Sequence, residues 1–491
     1  MRLRTLSLFA LCLPTSIPLA AAQDIPNRPE DIQFAPLNFE PPEAAGYRHE
    51  LSNGVLVYLA PSQELPLVNI VFTFKGGGYL DPQGQVGLVS ATGSMIRRGG
   101  TMSVSAEDLD ERFDFLAANV SSSSGSTTSL ATINCLKSNL EECFALFMDM
   151  IRNPGFQADR FTVYVDELLE RLRQRNDFPD AILNREWKAL LYGRDHYEAS
   201  QTTEPMVQAM SIADLRDVHR QIFHPGNLII AVNGDFEESQ MLALLEEAVS
   251  GWEKRPLVID PPAPEVKFTP GLYHVEKDIP QGKVFIGLRT ISRDHPDYFP
   301  MLMMNEILGG GGFTSRITKR VRSDEGLAYS AGSTFIPGVY FPGEFRALFQ
   351  SKNPTVALSA KIILEEIELI RSEPVTGEEL EIARNSFIET FPRTFESKAG
   401  MLNVFVNDEM TGRDAAYWKN YRDNIKRITA EQIMDVARRR LDPRQMAVFV
   451  VGKWDEIYQG DLDQRANMSE IFGGNVTHLP LRDPMTMEPI K

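Results

Sequence analysis

The sequence is poor in the residues that staple or metallate a fold. It holds 3 cysteines in 491 residues, too few for a disulfide framework. Cys12 falls in the N-terminal apolar stretch; Cys135 and Cys143 lie eight apart across an expected strand-to-helix turn. That pair bridges only if the turn folds back, and two buried free thiols are an equal alternative. Histidine is scarce too. None of the 7 stands three or four residues from another, which excludes paired imidazoles binding zinc from one helix face. No run after residue 22 is apolar enough to cross a membrane. Basic residues are outnumbered, 50 Lys and Arg against 67 Asp and Glu, for a net charge of −17. A surface this acidic argues against nucleic acid or an anionic membrane as partner.

What is present describes a multidomain globular chain, with 43% hydrophobic and 24% charged residues. Residues 1–22 stand apart: Arg2 and Arg4, an apolar stretch from Leu6, then Ala20-Ala21-Ala22. This reads as a cleaved secretory signal, so the protein is expected to be exported, with the periplasm as its compartment. Cleavage near Gln23 removes two positive charges and gives −17 − 2 = −19. Pro26, Pro29, Pro36, Pro41 and Pro42 make 23–45 an extended arm.

An internal repeat organises the rest. Asn53-Gly54 turns a first hairpin, Val68–Phe74 reads as a strand, Gly87–Ile96 as a helix, and a long helix runs from about Asp159 to Asn176. Ser211, Leu215, Asp217, Val218, Pro225 and Gly234 recur at a single offset of 218 as Thr429, Ile433, Asp435, Val436, Pro443 and Gly452. The strand Val68–Phe74 has its counterpart at Val284–Thr290. The fold class is therefore α+β, as two homologous domains, each a β-sheet with helices packed on one face. The domain plan is a signal (1–22), an arm (23–45), an N-terminal domain (46–254), a Pro-rich linker (255–270), a C-terminal domain (271–458) and a tail (459–491).

One stretch carries chemistry. Gly309, Gly310, Gly311 and Gly312 precede a short helical pattern from Ser315 to Asp324, and Arg322 and Tyr329 follow seven residues apart in Val-Arg-Ser-Asp-Glu-Gly-Leu-Ala-Tyr. A flexible linker would explain the glycines but not the Arg/Tyr pair. The pattern resembles the C-terminal half of the pitrilysin/insulinase family of zinc peptidases, which includes the mitochondrial processing peptidases. The resemblance covers nearly all of residues 46–455 and implies the two-domain half-clam of the processing peptidases. It implies that the Gly-rich loop and Arg322 bind the substrate peptide, and that Arg322 and Tyr329 stabilise the transition state.

The family's zinc motif is absent. Active members carry His-x-x-Glu-His after a Gly-Leu pair, with a ligand glutamate on a later helix. Gly87-Leu88 is here, but in register the two histidines fall on Ser90 and Ser94, the glutamate on Gly93, and the distant ligand on Arg171. A glutamate supporting it falls on Tyr164, and a slip of one residue would offer only Glu170. Hydroxyls, a glycine and a guanidinium do not replace imidazole and carboxylate, so no metal is expected in this chain.

The resemblance then implies the non-catalytic subunit of a heterodimeric zinc metalloendopeptidase, inactive alone. A homologous partner would carry the zinc, and an extended peptide would be the substrate. The alternative is a peptide-binding or scaffold protein with no role in proteolysis. Arg316, Lys319 and Arg320 read as a solvated helix face.

Overall fold

The computed structural model describes residues 28 and 38–490, so the expected signal segment and most of the arm lie outside it. Chain contacts divide the protein into Met1–Phe39, almost all outside the described residues, and Glu40–Lys491, which holds two six-stranded sheets. The first sheet contains β1 (Arg48–Glu50), β2 (Leu56–Pro61), β3 (Leu67–Lys75), β4 (Asn119–Ser124), β5 (Thr128–Leu136) and β6 (Leu228–Gly234). The second contains β7 (Gly271–Glu276), β8 (Gln281–Arg289), β9 (Ala328–Ile336), β10 (Glu344–Lys352), β11 (Ala447–Gly452) and β12 (Val476–Leu479).

The strand orders are β1-β2-β6-β3-β5-β4 and β12-β7-β11-β8-β10-β9. Five positions match one for one. β6 runs parallel to β2 and antiparallel to β3, and β11 treats β7 and β8 in the same way. Only the outermost position differs: β1 pairs antiparallel with β2, whereas β12 pairs parallel with β7. The stretch taken as a tail thus supplies an edge strand of the second sheet. The repeat is also visible in its caps. Ser211 accepts from Asp214 N and Thr429 from Gln432 N, each closing a capping box, and Pro225 and Pro443 each open a single tight turn before a strand.

Each half's own helices cover one face of its sheet, as the alternating burial along β3 and β5 requires. The opposite face receives a helix from the other half. Pro179–Tyr192 lays Ile182, Leu183, Trp187 and Leu191 against Val275, Phe285, Ala447, Phe449 and Val451. Trp187 Nε1 donates to Glu344 Oε2 at 2.5 Å. Reciprocally, Lys398–Thr411 crosses β2 and β6. Its Phe405 ring lies 5.9 Å from that of Tyr58, and Tyr58 donates to Glu409 at 2.8 Å. Among the described residues no helix is long and apolar enough to cross a membrane.

Candidate functional site

The glycine run is not a loose loop. The helix Tyr298–Asn305 widens into a π-type turn over Glu306–Gly310, closed by Gly311 N donating to Glu306 O at 2.8 Å. A Cβ on Gly309 would lie 2.5 Å from Ser333 Oγ and 2.8 Å from the Gly332 carbonyl carbon, so glycine is what lets this turn press on β9. Gly310 and Gly311 would meet Asn305 and Glu306, while Gly312 has φ +61° and open space around it. Ser315 then donates to Gly312 O at 2.7 Å, and Thr318 Oγ1 donates to Ala331 O at 2.8 Å, fastening the segment to β9. A second π-type turn spans Lys319–Asp324. Such turns recur at functional sites because they re-aim side chains without ending the helix.

Two side chains predicted from the sequence come together here. Arg322 Cζ lies 4.6 Å from the Tyr329 ring centroid. Tyr329 is the residue at which the pairing of β9 with β10 slips: Ala328 faces Ser351 and Ser330 faces Gln350. A bulge of this kind turns one side chain out of the sheet, and Tyr329 is 84% exposed. It is neither a core tyrosine nor a strand-face residue.

A third member was missed. Phe313, 66% exposed, puts its ring 4.5 Å from Arg322 Cζ. The only hint in the sequence was an aromatic directly after four glycines.

The other arginines of the segment behave differently. Arg316, expected on a solvated face, instead makes two hydrogen bonds to Glu379 at 2.6 and 2.8 Å. Arg320 donates to Glu366 and Glu365, both at 2.8 Å. Arg322 has no carboxylate partner among the described residues.

The residues that the resemblance puts at the zinc-ligand positions sit on two packed helices, Leu88–Arg98 and Ala158–Gln174. Asp81 caps the first, accepting from Gly87 N and Val89 N at 2.8 Å each; burial raises its carboxyl above the usual range, against those bonds. Ser90 is exposed and Ser94 half-buried. Gly93 is buried against β4, where a Cβ would lie 2.5 Å from Ser124 N and 2.7 Å from the Ser123 carbonyl carbon. A glutamate has no room there. Gly93 meets β4 as Gly309 meets β9.

Arg171 reaches over the ring of Tyr164, 5.9 Å from its centroid, with Arg98 at 5.6 Å. Glu167 pairs with Arg98 at 2.8 Å and lies 4.0 Å from Arg171. Glu170 is held by Arg173 at 3.0 Å and Gln174 at 2.7 Å. These donors are hydroxyls, guanidinium groups and carboxylates already paired with arginine. They do not fit zinc, and among the described residues no group of three or more His, Cys, Asp or Glu could hold a metal. Cys135 and Cys143 are free and buried; burial and its neighbour Cys143 push the Cys135 thiol up to about 12.

Residues 209–387 match the family model described as the peptidase M16 inactive domain. The non-peptidase homolog YmxG of Helicobacter pylori is 23% identical over 394 residues, covering 79% of this chain and 89% of that protein. A peptidase M16 inactive domain from Pseudomonas fluorescens superposes with a TM-score of 0.74 at 22% identity, covering 83% of this chain and 97% of that one. The periplasmic protease PqqL from Escherichia coli gives a TM-score of 0.69 at 17% identity, over 83% of this chain and 45% of PqqL. Residues 209–387 are therefore similar to the peptidase M16 inactive domain, and the chain shares the fold of the solved M16 structures; Ser90, Gly93 and Ser94 stand where the resemblance leads one to expect the His-x-x-Glu-His motif.

Proposed function

We propose that this protein is the zinc-less subunit of an exported, periplasmic heterodimeric metallopeptidase. A homologous subunit supplies the metal and the general base, and this chain supplies Arg322 and Tyr329. The observation that carries the reading is the contrast between the two halves. Tyr329 is turned outward on a bulge beside a guanidinium with no carboxylate partner, while the zinc-ligand positions carry hydroxyls, a glycine and a cation. An exposed phenol and an unpaired cation are the groups that stabilise an oxyanion developing on a peptide carbonyl. The Gly309–Gly312 turn packs against the edge strand β9, which carries Tyr329 and along which an extended peptide can add as a further strand.

The test is turnover of a quenched peptide by the reconstituted pair. Tyr329→Phe removes one hydroxyl donor, expected to cost about 2.7–4 kcal/mol of barrier, on the order of a hundred- to a thousand-fold in rate. Arg322→Ala slows turnover and weakens peptide binding, because a cation holds substrate before the reaction as well as during it. Neither change alters the zinc content of the partner. Near wild-type turnover in both variants would refute the role. It would leave the second reading, a peptide-binding protein without proteolysis, which the non-peptidase designation of the Helicobacter pylori relative favours.

A further inference from the structure

Arg322 is anomalous in a chain with 67 acidic residues against 50 basic ones. The other arginines of the segment have found carboxylates: Arg316 takes Glu379, and Arg320 takes Glu365 and Glu366; from elsewhere in the chain, Arg465 reaches the segment's Glu325 at 2.6 Å. Arg322 has instead two aromatic rings, at 4.5 and 4.6 Å. Phe313 and Tyr329 make no ring contact with each other, so the guanidinium meets two separate rings. Aromatic flanks satisfy the faces of a guanidinium and leave its in-plane N–H groups unused. Lys319, one turn earlier and exposed, also lacks an ion pair among the described residues. The result is a small cationic, aromatic patch on an otherwise acidic protein.

We propose that the Phe313–Arg322–Tyr329 stack is a carboxylate-recognition site, so that the peptide this protein takes carries an acidic side chain or a free C-terminal carboxylate at the stack. The proposal rests on the peptide-binding role given to this surface, but not on proteolysis. Its physical basis is preorganisation. A guanidinium held against two rings has less rotamer freedom to lose on binding, and its planar fork matches a carboxylate with two parallel hydrogen bonds. A backbone carbonyl, with one oxygen and no charge, uses only half of that edge. Phe313 has a stated task in this arrangement: it is a positioning residue that holds the fork in plane.

The test measures binding to the full chain alone, by fluorescence anisotropy, with labelled extended peptides differing at one point. One pair has a central Glu or Gln with an amidated C-terminus. A second pair keeps the central Gln and has a free or an amidated C-terminus. The carboxylate form of at least one pair should bind on the order of tenfold to a hundredfold more tightly than its neutral twin. The pair that shows the preference identifies which source of carboxylate is read. Arg322→Gln should abolish the preference, and Arg322→Lys, which keeps the charge without the fork, should retain only part of it. Phe313→Leu, which keeps apolar bulk, should reduce it roughly two- to fivefold with the melting temperature unchanged.

Equal binding of all three peptides to the wild-type chain, or binding of none, overturns the proposal. So does a preference that survives Arg322→Gln. Loss of affinity for charged and neutral peptides alike in Arg322→Gln would also overturn it, because Arg322 would then be reading the backbone; the proposed peptidase role would stand, since it is decided separately by turnover in the reconstituted pair.

Discussion

Gly93→Ala separates two physical effects of opposite sign. Gly93 lies inside the helix Leu88–Arg98, where replacing glycine by alanine should stabilise the helix by about 1 kcal/mol. The tertiary structure opposes this. The added Cβ would stand 2.5 Å from Ser124 N and 2.7 Å from the Ser123 carbonyl carbon, both backbone atoms of β4. A normal contact requires β4 to retreat by roughly 1 Å, and overpacking of that kind costs about 1–3 kcal/mol. Backbone cannot yield as a side-chain tip can, so the upper end applies, and the net loss is about 2 kcal/mol. Because β4 is an edge strand bonded only to β5, its amides are where the strain should surface. Calorimetry should show a lower melting temperature for Gly93→Ala, and hydrogen exchange should show lost protection confined first to Ser121–Ser124. Ser90→Ala, at an exposed position of the same helix, serves as the control and should be neutral or slightly stabilising. Gly93→Glu, with a longer side chain to place, should be worse than alanine. A Gly93→Ala variant as stable as wild type would refute the packing account and show that β4 accommodates a side chain freely.

Trp187→Ala should cost about 3–5 kcal/mol, since a fully buried indole is lost from the contact between the halves and Glu344 loses a donor. Because that helix belongs to the first half and its contacts to the second, unfolding should remain one shifted transition; two separate transitions would refute the coupling. Acid should destabilise the fold through His274. Burial, with His478 beside it, lowers its pKa from 6.5 to about 4, against a hydrogen bond to Gly452 O. Between those values the unfolded chain binds the proton and the folded one does not, so stability present above pH 6.5 falls as pH drops towards 4, by up to about 3 kcal/mol. His274→Asn should flatten that slope, measured as melting temperature against pH, and an unchanged slope would exclude His274 as its source.

Much of this protein is legible in its sequence because the informative features are local or repeated. Capping boxes at Ser211 and Thr429, the Asn53-Gly54 turn and alternation along β3 each depend on neighbours within a few residues. The repeat converts such local signals into architecture, since two copies of one pattern at a fixed offset must build the same unit twice. The failures share the opposite property. Nothing near Pro179–Tyr192 or Lys398–Thr411 says that each will cover the sheet of the other half, because an apolar helix stripe does not name its partner. Nor does the sequence of 459–491 show that a four-residue strand, His478 included, will close the second sheet.

The same division holds at the site. The sequence by itself determined that His-x-x-Glu-His is absent and that Arg322 and Tyr329 stand seven residues apart behind four glycines, because residue identity and spacing are covalent facts. Only the tertiary structure decided that a one-residue slip against β10 turns Tyr329 outward, that Phe313 folds back from beyond the glycines to flank Arg322, and that Gly93 presses on β4. Those outcomes depend on which backbone lies within a few ångströms, and that is set by the packing of segments distant in the chain.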